Sequence, residues 1–158
     1  MPQPSTPADI VRAVAAGVDR LVAGNLTEQE EQAQLDQLAG LYAEQTDVRH
    51  PFAPLGDTPL RSRAELRSHF AEGPARAAGA DRFEPVGQVH ETADPEVVIY
   101  EFSYVGSANG RPFSIPCIFV VRVRDGLIVE SRDYFDYVGS ARALGRLGNL
   151  AAALAGDS

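Results

Sequence analysis

The segment LIVESRDYFD, residues 127–136, carries two carboxylates, Asp133 and Asp136, on what otherwise reads as a β-strand. Side chains three apart on a strand point to opposite faces, so only one of the two can enter a core. Alternation sets Leu127, Val129, Ser131, Asp133 and Phe135 on one face and Ile128, Glu130, Arg132, Tyr134 and Asp136 on the other. The first face is the apolar one, which sends Asp133 inward. A carboxylate in apolar surroundings either finds a partner or keeps its proton to higher pH, by up to about 3–5 units when fully buried. Such a shift brings it to the pH at which general acid–base catalysis works. The sequence offers His50 as partner, because alternation in DVRHPF turns Val48, His50 and Phe52 inward and Asp47 and Arg49 outward. Asp133 and His50 are therefore the candidate catalytic residues. Tyr42, Phe52, Tyr100, Phe119 and Phe135 are the candidate substrate-binding residues. Asp136 reads instead as a helix cap, and His69 and His90 as surface residues.

Other chemistries find less support. All 14 basic residues are Arg, so the chain has no ε-amine for a Schiff-base mechanism. Cys117, alone, sits in the apolar run FSIPCIFVV and reads as a small buried hydrophobe. The three histidines lack metal-ligand spacing, and no phosphate-binding or nucleophile-elbow motif occurs, so neither metal nor cofactor is expected. A net charge of −8 with scattered arginines disfavours nucleic acid, and no apolar run is long enough to cross a membrane. The opening MPQPSTPADI lacks the basic-then-apolar pattern of a secretory signal, which makes a cytoplasmic location the expectation.

The elements that must position these residues follow from periodicity. In 158 residues, 44% of them hydrophobic, one domain with a real core is expected. Thr6 caps a first helix with Pro7 at its start and a stripe of Ile10, Val14, Val18 and Leu21. Thr27 caps a second, read over EQEEQAQLDQLAGLYAEQ, with Leu35, Leu38, Leu41 and Tyr42 on its buried side. Residues 46–52 read as a short strand and FAPLGDTPL as a loop. Ser62 and Glu65 form a capping box at the head of a third helix, SRAELRSHF. Strands follow at about 82–91, 95–105, 111–124 and 127–136, the last two joined by an Asp125-Gly126 turn. In 111–124 the inward set is Phe113, Ile115, Cys117, Phe119, Val121 and Val123; in 82–91 it is Phe83, Pro85, Gly87 and Val89. For 97–105 two registers compete, one turning Tyr100 inward and one turning it out. A tail with Leu144, Leu147, Leu150 and Leu154 reads as a terminal helix. The plan is α+β: a cone-shaped curved antiparallel sheet, N-terminal helices packed across it and a C-terminal helix.

This order of elements, with DVRHPFAP, PLRSRAELRSHF and FVVRVRDGLIVESRDYFD, resembles the SnoaL-like branch of the nuclear transport factor 2-like superfamily. Ketosteroid isomerase, limonene epoxide hydrolase and polyketide cyclases belong to the same group. The resemblance implies a cone-shaped α+β barrel, commonly dimeric through the outer sheet face. It sets His50, before Pro51, where the isomerases hold their general base, and Phe119 near their oxyanion-hole aspartate. Asp133 matches the last-strand aspartate of the epoxide hydrolases, whose Arg and Asp on the middle strand have no counterpart in EVVIYEFSYVG. Asp133 is also nearest to the late acid–base aspartate of the cyclases. The expected function is cofactor-independent isomerisation, cyclisation or epoxide opening on a small apolar metabolite, with FAPLGDTPL at the mouth of the pocket. The alternative is a non-catalytic dimeric ligand-binding or accessory domain in which His50 and Asp133 bond only to each other or to a ligand.

Overall fold

Two helices begin where side-chain oxygens can hold free backbone N–H groups. In a computed structural model, which describes residues 6–156, Thr6 accepts from the Asp9 N–H at 3.1 Å and heads α1 (Pro7–Val22). Thr27 accepts from the Glu30 N–H, while the Glu30 carboxylate accepts from the Thr27 N–H at 2.8 Å, heading α2 (Glu28–Ala39). Contrary to the sequence expectation, α2 stops at Ala39. Leu41 and Tyr42 leave the helix because the Leu41 carbonyl accepts from the Ile128 N–H and β1 (Tyr42–Arg49) pairs with the last strand. Sheet pairing outweighs a weak helical tendency interrupted by Gly40.

After a loop come β2 (Leu60–Ser62), α3 (Arg63–Ala71) and the single turn α4 (Gly73–Arg76). Ser62 caps α3, but its capping box is incomplete: the Glu65 carboxylate accepts from the Arg61 N–H rather than from Ser62. The strands β3 (Ala80–Glu91), β4 (Val97–Ala108), β5 (Arg111–Arg124) and β6 (Leu127–Phe135) form a meander. Asn109-Gly110 and Asp125-Gly126 close two of its hairpins with positive φ at both residues, the geometry that matches strand twist. The curved open sheet has the order β2-β1-β6-β5-β4-β3, and the β1–β6 pairing is parallel. The tail divides into α5 (Tyr137–Ala143) and α6 (Leu147–Ala155), and Asp136 caps α5 through the Gly139 N–H at 2.8 Å.

The core lies between helices and sheet. Ile10, Val11, Val14 and Leu21 of α1 and Leu35 and Leu38 of α2 pack with Phe102, Ile115, Cys117 and Val121 of the sheet. The β4 register resolves with Val98, Tyr100, Phe102 and Tyr104 inside. In β6 the simple alternation fails. The pairing steps from Val123–Ile128 to Arg122–Glu130, leaving Val129 as the extra residue of a bulge. Ile128 is thereby turned inward in place of Leu127 and Val129, while Ser131, Asp133 and Phe135 keep their expected side.

Candidate functional site

One rung of the concave face assembles the site. Val89 of β3 pairs with Tyr100, Tyr100 with Phe119, and Phe119 with Asp133. Arg49 pairs in parallel with Arg132, so the next residue, His50, arrives beside Asp133. Its Nε2 lies 3.7 Å from Asp133 Oδ2, and both side chains keep limited access to solvent, at 17% and 15% exposed. The expected pair is therefore brought together.

Burial dominates the Asp133 carboxyl and raises it to about 7, against a hydrogen bond from the Ser131 hydroxyl and the nearby Arg132, which both favour the charged form. Burial likewise lowers the His50 imidazole, with Asp57 opposing and Arg76 assisting. Near neutral pH the pair thus comprises a neutral imidazole and a carboxyl close to half protonation, two groups able to exchange roles as acid and base. Asp57, on the loop after β1, accepts from the His50 N–H at 2.8 Å and stands 4.0 Å from His50 Nδ1. It ties the loop to the site.

Three further residues reach the pair, and the first of them, His69, is a correction: the sequence reading set it on the surface, but the flank of α3 turns its ring in against His50. The His69 ring packs 5.2 Å from the His50 ring. Burial, with Arg76 and His50 assisting, lowers its imidazole to about 3. Arg76 Nη2 lies 3.5 Å from His69 Nε2 and donates to the His69 carbonyl at 2.7 Å. Since Arg only donates, His69 Nε2 faces it with a lone pair, and the proton of the neutral ring belongs on Nδ1. The signal was present: His69 follows Leu66 by three and adjoins Phe70, at the flank of the buried stripe of α3. Tyr137 opens α5 directly after the Asp136 cap, and its hydroxyl is raised by burial and by the charges of Asp133 and Asp57.

Of the expected substrate-binding residues, Tyr42 and Tyr100 are buried, Phe119 packs edge-on against Phe102, and Phe135 packs against Tyr137. Phe52 is a correction. It lies beyond the end of β1, is 67% exposed and packs edge-on against Tyr134, so the alternation that turned it inward does not extend that far. Cys117 is buried, with its thiol raised by burial, and His90 is exposed beside Glu101. Among the described residues, no group of three or more His, Cys, Asp or Glu side chains is placed to hold a metal ion.

A family model described as the SnoaL-like domain matches residues 18–131. The chain belongs to the SnoaL-like domain family. Over 101 residues this SnoaL-like chain is 34% identical to an uncharacterized PhzA/B-like protein of Pseudomonas aeruginosa, covering 62% of this chain and 70% of that one. A candidate isomerase from Bacillus subtilis shares the fold with a TM-score of 0.61 at 23% identity, covering 87% of this chain and 96% of its own. A candidate polyketide cyclase from Pseudomonas putida does so with a TM-score of 0.63 at 15% identity, covering 89% and 98%. His50, the residue after β1, His69 of α3 and Asp133 of β6, two residues past the matched segment, are brought together by the packing of helices on the sheet. No helix among the described residues is long and apolar enough to cross a membrane.

Proposed function

We propose that this SnoaL-like chain is a cofactor-independent enzyme that moves a proton on a small apolar metabolite, in an isomerisation, cyclisation or epoxide opening. The observation that carries this reading is the His50–Asp133 pair, 3.7 Å apart on the concave face, with the carboxyl raised to about 7. Asp133 takes and returns the proton. His50 orients it or serves as the opposite partner, and the neutral His69 ring holds His50 from behind. The relatives described as a candidate isomerase and a candidate polyketide cyclase are consistent with this chemistry.

The test is α-carbon deuterium uptake by a panel of enolisable cyclic ketones in D2O, followed by NMR. Wild type is expected to exceed buffer, and Asp133→Asn to lose about 10²–10⁴ of that rate while retaining ligand binding. An unchanged rate in Asp133→Asn overturns the reading. It would leave a ligand-binding domain, which the hydrogen bond from Ser131 to Asp133 favours because it gives the carboxyl a structural partner.

The outer sheet face suggests a second copy as partner. Val86, Val105 and Ile118 are exposed there, on strands whose other face forms the core. Covering such a face with its own counterpart removes apolar surface from water on both copies.

A further inference from the structure

The loop after β1 brings a second carboxylate to the His50 ring. Two turns shape it: the Ala53 N–H donates to the His50 carbonyl and the Gly56 N–H to the Ala53 carbonyl, both at 3.0 Å. Gly56 adopts φ +103, a conformation that favours glycine, and Asp57 follows it directly. Phe52 and Leu55 on this loop face the solvent, at 67% and 68% exposed. The Asp57 side chain turns the other way and is only 24% exposed. Its Oδ1 accepts from the His50 N–H at 2.8 Å and lies 4.0 Å from His50 Nδ1. One oxygen thus meets both the backbone and the ring of the same residue.

A carboxylate only accepts, so a neutral His50 ring facing Asp57 carries its proton on Nδ1. Nε2 then presents a lone pair to Asp133, 3.7 Å away. The opposite tautomer would set the Nδ1 lone pair against the Asp57 carboxylate, two acceptors face to face. The remaining neighbours do not choose between the two forms. The His69 ring packs beside His50 at 5.2 Å, and Arg76 lies at the far nitrogen of His69.

We propose that Asp57 is the positioning residue of His50: it fixes the imidazole as the Nδ1–H tautomer and aims Nε2 at Asp133, so that a proton taken up by Asp133 passes on to His50. This deepens the proton-transfer reading and rests on it. In the hand-over the Asp133 O–H bond breaks and leaves its pair on oxygen. The Nε2 lone pair forms the new N–H bond, and the Nδ1 proton stays in place. The imidazolium then stands between two carboxylates, Asp57 and the re-ionised Asp133, each of which favours its charge. The proton returns by the same route, and no co-reactant is consumed. Separations of 3.7 and 4.0 Å exceed hydrogen-bond length, and catalytic contacts commonly tighten once substrate is in place. The loop that carries Asp57 is the element able to tighten them.

The experiment is imidazole 15N NMR at pH 8 on protein labelled at histidine, with His50→Gln identifying the His50 signals. Wild type should show the His50 proton on Nδ1. Asp57→Ala should leave the ring mixed or protonated on Nε2, and should lower Asp133-dependent deuterium uptake about tenfold or more in kcat with KM unchanged. Asp57→Asn keeps an amide oxygen that accepts from Nδ1–H, so it should hold the tautomer and recover most of the uptake. In both variants the His50 titration, followed at Cε1–H, should move to lower pH. The Asp57 charge favours the imidazolium and Arg76 opposes it, while Asp133 still faces Nε2 and His69 stays neutral. A wild-type His50 protonated on Nε2, an unchanged tautomer in Asp57→Ala, or a loss of uptake through KM alone would each overturn the proposal. The tautomer is read without turnover, so the two readings fail separately. Asp133-dependent uptake with an Nε2–H ring removes the role of Asp57 alone, whereas an Nδ1–H ring held by Asp57 without such uptake removes the proton-transfer reading.

Discussion

At the scale of single residues, Asp133 and His69 are buried with opposite consequences for stability. The Asp133 carboxyl is raised from 3.8 to about 7, so between those values the folded state binds more protons than the unfolded one. Stability must then fall as pH rises through that window, by an amount on the order of a few kcal/mol reduced by whatever solvent reaches the carboxyl. His69 is lowered from 6.5 to about 3, so the unfolded state binds the extra proton there and stability is lost as pH falls through that window. In wild type the two slopes oppose each other between about pH 4 and 6.5. Substitution separates them. Asp133→Asn should be more stable than wild type at pH 8 and should lose the decline between pH 4 and 7, measured as melting temperature against pH. His69→Gln should flatten the acid-side loss in the same assay. If neither profile differs in shape from wild type, the two groups are not held as described. In activity the sign is also fixed: a base must be ionised, so Asp133-dependent deuterium uptake should rise with pH around 7 and level off above it.

At the scale of elements, most of the site was readable from local rules, and the misreadings have local causes. Caps at Thr6, Thr27, Ser62 and Asp136 were legible because a side-chain oxygen and its target N–H lie within three residues. The end of α2 was not, since the competitor for Leu41 and Tyr42 is β6, more than eighty residues away. The inward direction of Asp133 was legible from alternation because the β6 bulge lies before it, at Val129, and leaves the parity of Ser131, Asp133 and Phe135 unchanged. Tyr104 shared the undecided register of β4 with Tyr100, and only the pairing with β3 and β5 turns both inward. Two glycines set how closely elements approach. A Cβ at Gly106 would lie 1.8 Å from the Arg82 carbonyl oxygen of β3, and one at Gly139 would lie 2.1 Å from the Asp136 carboxylate that caps α5. Gly106→Ala should therefore separate β3 from β4 and cost several times the ~1 kcal/mol that Gly→Ala can gain in a compatible strand, measured by urea denaturation. Asp136→Ala should cost about 1 kcal/mol through the cap alone. Because α5 carries Tyr137, it should also broaden the NMR signals of that ring.

At the scale of the whole molecule, one sheet has two uses. Its concave face binds the helices and frames His50, Asp133 and the tyrosines, while its convex face is left with Val86, Val105 and Ile118 in contact with water. The same period-two pattern that made the inner face readable leaves this outer one ambiguous, because scattered exposed aliphatics are normal on a monomer. What distinguishes them is register: Glu101, Ile118 and Tyr134 form one rung across β4, β5 and β6, and Val86, Ser103 and Pro116 form the neighbouring one across β3, β4 and β5. Ile118 therefore stands amid the convex face rather than at its edge, flanked on one strand by Glu101 and on the other by Tyr134, against which Phe52 packs. A second copy laid on this face would bury Ile118 near the middle, where a specific interface of roughly 800 Å² per partner concentrates its apolar contacts. Ile118→Glu would place a carboxylate there directly across from Glu101, and beside the counterparts of both on a second copy. Light scattering should give wild type twice the 16.9 kDa chain mass and Ile118→Glu the single mass, with circular dichroism unchanged because the side chain leaves the core untouched. A wild-type mass of one chain, or an Ile118→Glu variant that stays double, would mean that a different surface, or none, joins copies of this fold. Phe52 and Tyr134 link that face to the loop carrying Asp57, so a dimer broken by Ile118→Glu should also weaken deuterium uptake, by less than the loss in Asp133→Asn.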